Sequence, residues 1–309
     1  VVHVVVEPEL PSKQSQSISS NMENAPFSIV IGGRRGPRLS SSKPIAKRVL
    51  RSKPIRVKLH CIDGKTQLSE GYSGTGSMGG LGTGGVLWDS GLFLARWIHA
   101  QRGALFAADG QRVLELGSGL GLPGIVAAAC VPSPARVVLT DCVDEVLTAL
   151  AVNARANAAA PAAAGDGARA PPRVDVLALD WRALDDGARR IVDAAGSTGD
   201  GDATFDVVLC ADLVYMVEMA PLLADVIATF LAVRGVVLAI FPANRHGVDE
   251  FLADMDARGF ACDRGGIPAA CVGPAMSVRW CPGKHRCCVL YRRDAEGAAA
   301  RWGGLLAAA

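Results

Sequence analysis

The stretch from Val113 to Gly124, VLELGSGLGLPG, constrains this chain more than any other. A short apolar run carries a carboxylate, Glu115, into a glycine-rich turn, and Pro123 then suits the first turn of a helix. Glycine lets backbone N–H groups come close to a ligand. The segment therefore predicts a strand, a loop and a helix built around a nucleotide-like molecule. Two parsings fit the same letters.

Gly119, Gly121 and Gly124 match the G-x-G-x-x-G dinucleotide fingerprint, whereas Glu115, Gly117, Gly119 and Gly121 match the E-x-G-x-G loop of S-adenosylmethionine (SAM) enzymes. The glycines alone do not choose between them. The rest of the chain continues the alternation. Strands are expected at Val113–Leu116, Arg136–Leu139, Val174–Leu179, Phe205–Cys210, Val236–Ile240 and Cys287–Tyr291. Helices are expected after Trp88, where Asp89 or Ser90 can cap, over Ile125–Cys130, at the helical spacing of Val143, Val146, Leu147 and Leu150, over Pro221–Leu231 and over Val248–Arg258. This order predicts an α/β fold with a mostly parallel sheet and helices on both faces.

Ligands of such sheets bind outside the carboxyl ends of the strands, and four strand ends here are polar: Glu115 with its glycines, Asp141, Asp180-Trp181 and Ala211-Asp212. Asp141 can accept hydrogen bonds from two ribose hydroxyls, a device that NAD enzymes also use. Trp181 offers a flat apolar wall for adenine, and Asp180 or a neighbouring amide can read the exocyclic amine.

Composition removes several classes. With 309 residues, 50% hydrophobic and 20% charged, the chain can bury a large core, and its net charge of +2 does not point to nucleic acid. No apolar run reaches the roughly 18 residues of a membrane span, and a monomer is expected. The nine cysteines are scattered, as in reduced intracellular proteins. Cys262, Cys271, Cys281, His285, Cys287 and Cys288 cluster late but lack a C-x2-C knuckle, so no metal is expected. No G-x-S-x-G elbow supports a hydrolase. His246 reads as a loop residue near the cleft.

Residues 1–55 are basic and Ser/Pro-rich and read as a solvated extension. They are followed by a Gly-rich lead-in to residue 85, the main domain over 86–293, an Ala/Pro/Gly surface spacer over 154–172, and an Ala/Gly-rich tail over 294–309. A cytoplasmic location is expected, with the basic arm leaving nucleus or organelle open.

The order W-D-x-G at Trp88, ELGSGLGLPGI from Glu115, Thr140-Asp141, Asn153-x-x-x-Asn157, LDW at Leu179 to Trp181 and ADLVY at Ala211 to Tyr215 resembles the family-16 group of seven-strand SAM-dependent methyltransferases. That resemblance covers roughly residues 85–292. It implies a Rossmann-like seven-strand fold, SAM as cofactor, and contacts to it by Trp88, Glu115, Gly117, Ser118, Gly119, Asp141, Trp181 and Ala211. It also implies a protein substrate methylated on lysine, the group acting mostly on chaperones, translation factors or calmodulin. Asp212 and Tyr215, beside the position expected for the methyl group, are read as catalytic: Asp212 to hold the incoming ammonium and Tyr215 to wall and orient it. An NAD-dependent oxidoreductase would leave LDW and ADLVY without a role. A nucleic-acid enzyme of the adenine-methylating kind would carry N/D-P-P-Y where this chain has ADLVY. A small-molecule acceptor stays open.

Overall fold

A computed structural model describes residues 6–8, 27–31, 55–59, 84–132, 135–158, 171–195, 204–271 and 282–306. Three short strands come first: β1 (Val6–Pro8), β2 (Phe27–Ile31) and β3 (Ile55–Leu59), paired antiparallel in that order. Helix α1 (Asp89–Leu105) then leads into β4 (Arg112–Leu116), α2 (Leu122–Cys130), β5 (Arg136–Asp141), α3 (Asp144–Asn157) and β6 (Arg173–Ala178). A 3-10 turn at Trp181–Ala183 runs into α4 (Leu184–Ala195), followed by β7 (Phe205–Ala211), α5 (Met219–Phe230), β8 (Leu231–Pro242) and α6 (Val248–Ala257). The last elements are β9 (Phe260–Gly265), β10 (His285–Arg292) and α7 (Ala298–Trp302).

The main sheet has seven strands in the order β6-β5-β4-β7-β8-β10-β9, parallel throughout except that β10 runs antiparallel to both of its neighbours. The central strands are apolar at every other residue on both sides, as a sheet covered on both faces requires. Val113, Val137, Val207 and Leu238 pack on one side with α1, α2, α3 and α7. Leu114, Val138, Val208 and Val237 pack on the other with α4, α5 and α6. Each fully buried Val or Leu contributes about 1.5–3 kcal/mol. That burial holds the carboxyl ends of β4, β5, β6 and β7 at one rim, where the cleft lies.

Several boundaries differ from the expectations. β9, FACDRG, was not anticipated, because Cys262, Asp263 and Arg264 interrupt the apolar pattern; an edge strand tolerates them. At α1 neither Asp89 nor Ser90 caps: the N-cap position is Trp88, with no side-chain cap, and Asp89 sits in the first turn, where its charge favours the helix dipole. The strands β2 and β3 fall in or beside the stretch read as a solvated extension, yet Ile29, Ile31, Ile55, Val57 and Leu59 are buried against the main core. Alternating apolar residues in two short runs outweigh the basic surroundings. Ala154–Asn157, assigned to the spacer, belong to α3, while 159–170 lie outside the described residues. The tail likewise contributes α7, whose Trp302 is 1% exposed.

The N-terminal sheet is tied to the rest through α3. The Asn157 carboxamide accepts from the Lys58 backbone N–H at 2.9 Å and donates to the Lys58 carbonyl at 2.7 Å, imitating a neighbouring strand. One turn earlier, buried Asn153 donates to the Leu120 carbonyl at 3.1 Å and so holds the glycine loop. No helix among the described residues is long and apolar enough to cross a membrane.

Candidate active site

The glycine loop is shaped by its own hydrogen bonds. Gly117, Gly119 and Gly121 all take left-handed backbone, with φ of +51, +53 and +82°. At Gly119 a side chain is excluded twice over, because an added Cβ would also lie 2.9 Å from the Gly84 carbonyl. The loop is stitched to β5 by Ser118, whose N–H donates to the Thr140 carbonyl at 2.7 Å and whose hydroxyl accepts from the Thr140 N–H at 3.1 Å. Ser118 is thereby turned inward, and its side chain serves the loop.

Glu115 is 2% exposed and accepts from the Gly124 N–H at 3.0 Å, at the start of α2. Close packing of helix on strand at this glycine suits either parsing, so the bond fixes the loop without naming its ligand. The Gly124 N–H is occupied, and a Cβ on Gly124 would lie 2.5 Å from Glu115 Oε2 and 2.2 Å from Leu139. Gly124 thus serves the packing of the helix. Burial pushes the Glu115 carboxyl up from 4.5 to about 8, against the opposing pull of hydrogen bonds from Gly124 and Ser118. A raised carboxyl pKa means that the native state holds the proton more tightly than the unfolded chain. This group's contribution to stability therefore falls as pH rises from 4.5 to about 8. Glu115→Gln should flatten that part of the Tm-versus-pH curve; parallel curves for variant and wild type would refute the assignment.

Asp141, at the end of β5, accepts from Gly119 N–H on Oδ2 at 3.0 Å and from Cys142 and Val143 N–H on Oδ1 at 2.8 and 3.3 Å. A carboxylate has about four acceptor positions, so these three bonds leave room chiefly on Oδ2. After β6, Asp180 is held by Arg182 through both carboxylate oxygens and the Arg182 N–H. Those bonds lower its pKa. Asp180 is therefore engaged by its neighbour two residues on. The Trp181 indole stands against the glycine loop, 3.8 Å from where a Gly117 Cβ would lie.

β7 ends in Ala211 at the rim, and the next residue is the one non-glycine position with left-handed backbone among the described residues: Asp212, φ +57° and 9% exposed. Its carboxylate is gripped by Arg245, with Nε to Oδ1 and Nη2 to Oδ2 both at 2.8 Å. The Arg245 guanidinium also lies over the Trp88 ring, 5.8 Å from its centroid. The carboxylate read as waiting for a substrate ammonium thus already has a cation. Tyr215 is 44% exposed, and Met216 and Val217 beside it are similarly open. Burial of the phenol, helped by Cys142 and Asp141, raises the Tyr215 pKa, so the hydroxyl stays a neutral donor.

These pieces converge. Trp88, Glu115, Gly117, Ser118, Gly119, Asp141, Trp181, Ala211, Asp212 and Tyr215 all line one cleft of about 350 Å³, a size suited to a small-molecule cofactor. Its shape fits an adenosyl group: an aromatic wall at Trp181, a carboxylate with a free acceptor position at Asp141, and a floor at Gly117 where any Cβ would strike Leu213 at 2.6 Å. The sequence reading missed Arg245, although it is the first charged residue after β8, and pointed instead to exposed His246. Cys262, Cys271, His285, Cys287 and Cys288 form no metal-holding group among the described residues, and Cys281 lies outside them. Cys287 and Cys288 face opposite sides of β10.

Sheet order and cleft together define a Rossmann-like seven-strand α/β domain with a small-molecule site at the carboxyl ends of its strands. A sequence profile of the family described as lysine methyltransferase matches residues 75–258, and the chain belongs to that family. It is 34% identical over 153 residues to the human protein-lysine N-methyltransferase EEF2KMT, covering 49% of this chain and 42% of that protein. It is 32% identical over 151 residues to the protein N-lysine methyltransferase METTL21A of Xenopus tropicalis, covering 49% and 55%. To EEF1A lysine methyltransferase 3 of Xenopus tropicalis it is 29% identical over 187 residues, covering 59% and 69%. The chain spans about half the length of the first two relatives.

Proposed function

We propose that the protein is a SAM-dependent methyltransferase that methylates a lysine side chain of a protein substrate. The observation that carries this reading is the convergence on one cleft of the left-handed glycine loop, Asp141, Trp181 and the Asp212–Tyr215 element. The family and the named activities of the relatives support it. In this reading Trp181 packs on the adenine, Asp141 holds a ribose hydroxyl, and Gly117 and Gly119 admit the ribose and methionyl portions. When bound, SAM supplies an electrophilic sulfonium methyl, which passes to a nucleophilic nitrogen while the C–S bonding pair stays on sulfur. The chain's part is alignment and exclusion of water, which can lower a barrier by several kcal/mol.

Tyr215 borders the cleft, and its phenol oxygen is suited to accept an N–H of the neutral amine, which leaves the nitrogen lone pair free to face the methyl. Lysine, with a reference pKa of about 10.4, must release a proton to solvent before it reacts. The exposed Tyr215, Met216 and Val217 give the acceptor polypeptide an apolar landing beside the mouth. A cytoplasmic setting accords with the scattered free thiols at Cys130, Cys142, Cys210, Cys262, Cys271, Cys287 and Cys288.

The test is incubation of a proteome extract with tritiated SAM. Label that resists nuclease, is destroyed by protease and is recovered as methyllysine supports the reading; label removed by nuclease, or binding of NAD but not SAM in calorimetry, overturns it. In the same assay Asp212→Ala should lose roughly 10²-fold in turnover through misplacement of the acceptor while still binding SAM. Full turnover in that variant would remove Asp212 from the machinery.

A further inference from the structure

Asp212 and Arg245 make an arrangement that cofactor binding does not need. Both carboxylate oxygens of Asp212 are taken by a planar guanidinium at 2.8 Å, the strongest geometry for such a pair. The Asp212 side chain is 5% exposed and Arg245 32%, so the carboxylate is closed off while the guanidinium reaches solvent. Asp212 lines the cleft, and Arg245 bridges it to Trp88, another lining residue. The loop that carries Arg245 is fixed against the loop that carries Asp212: a Cβ on Gly247, φ +91°, would lie 3.0 Å from the Met216 carbonyl oxygen and 2.9 Å from Val214.

Resting on the proposed amine methylation, we propose that Arg245 is a positioning residue that sets the charge met by the acceptor. By occupying both oxygens of Asp212 it presents the cleft with an oriented but neutralised carboxylate. An acceptor nitrogen then gains little by arriving as an ammonium, and its neutral, nucleophilic form is not disfavoured. An unpaired Asp212 would do the reverse: it would bind the ammonium and hold its proton on. The proton that leaves the ammonium goes to solvent, and no group in the cleft is required to keep it.

The other charges around this point come from every neighbouring element. Glu115 lies at the end of β4, Asp141 and Cys142 at the end of β5, Asp180 and Arg182 after β6, and Tyr215 after β7. Asp89 opens α1 next to Trp88, and His246 follows Arg245 on its own loop. Of these, Arg182 already pairs with Asp180, so Arg245 is the cation placed to neutralise Asp212.

The decisive probe pair is sinefungin and S-adenosylhomocysteine. The first carries a cationic amine where SAM carries its methylsulfonium, and the second carries neither. In calorimetry, Arg245→Met should raise the ratio of sinefungin to S-adenosylhomocysteine affinity roughly tenfold, the scale of one freed charged hydrogen bond. Arg245→Lys, which keeps a cation, should return most of the wild-type ratio. Asp212→Asn, which leaves Arg245 uncompensated, should push the ratio below wild type, and Asp212→Asn with Arg245→Met should cancel the rise. The pH profile of amine methylation by Arg245→Met should move to higher pH, because a freed carboxylate raises the acceptor pKa.

A ratio that stays constant in Arg245→Met and in Asp212→Asn, with both probes still binding, overturns the inference. Should Arg245→Met fail to fold, Asp212→Asn alone decides it in the same way. Failure of wild type to bind either probe would instead overturn the functional reading, and this inference with it.

Discussion

Asp141→Ala should cost roughly 10- to 100-fold in SAM affinity by calorimetry, the scale of losing one hydrogen bond to a charged acceptor. The same variant also loses three internal bonds, from Gly119, Cys142 and Val143 N–H. The last two lie at the entry to α3, so the loss resembles removal of a helix cap at about 1 kcal/mol. Asp141→Asn separates the two roles. Its amide oxygen can still accept from the Cys142 and Val143 N–H groups and restore part of the Tm, while its NH2 group meets the Gly119 N–H donor to donor and offers a ribose hydroxyl only an uncharged bond. Asn at this site should therefore regain more stability than affinity. Equal recovery of both would mean that Asp141 acts only through the loop.

Trp302→Ala should destabilise the protein by about 3–5 kcal/mol, the cost of deleting a large buried aromatic. Trp302 is 1% exposed, its Nε1 donates to the Arg234 carbonyl at 3.0 Å, and it packs with the core face that holds β8 and β10. For a protein of this size that corresponds to a fall in Tm of roughly 5–8 °C. Close by, the Leu305 carbonyl accepts from Gln101 in the last turns of α1 at 3.2 Å, so the tail is bonded to the helix whose other end bears Trp88. Arg301→Ala, which removes only the guanidinium 4.3 Å above the same indole, is the control and should shift Tm by no more than a surface change does. A Trp302→Ala protein that melts with wild type would show that α7 adds no measurable stability to the domain.

Where local pattern and tertiary need agreed, the sequence was readable. VLEL followed by glycines could hardly be anything but a buried strand meeting a tight turn, and Asp141, Trp181 and Asp212 all stand at strand ends that periodicity alone located. What stayed hidden depended on partners distant in the chain. Nothing near Asp212 signals that a guanidinium 33 residues downstream will close on it. β9 became a strand because β10 offers it an edge, against the grain of Asp263 and Arg264. Ile29 and Val57 were obscured by basic neighbours, since bulk composition averages over the few residues that find the core. The Ala/Gly tail misled for the same reason: one tryptophan decides where it goes.

The strand order carries a consequence for the making of the molecule. β10 stands between β8 and β9, so while the chain emerges from the ribosome β8 keeps one long side unpaired until residues 285–292 appear. β9, synthesised earlier, pairs with β10 and with no other described strand, so it waits as well. An open apolar edge invites association with other chains. From the completion of β9 at residue 265 until residues 285–292 appear, the growing polypeptide therefore carries two unmatched strands that β10 pairs. A premature stop before residue 285 would lose more than the last strand: it would leave a nearly complete domain with a permanently adhesive border, a natural client for chaperones.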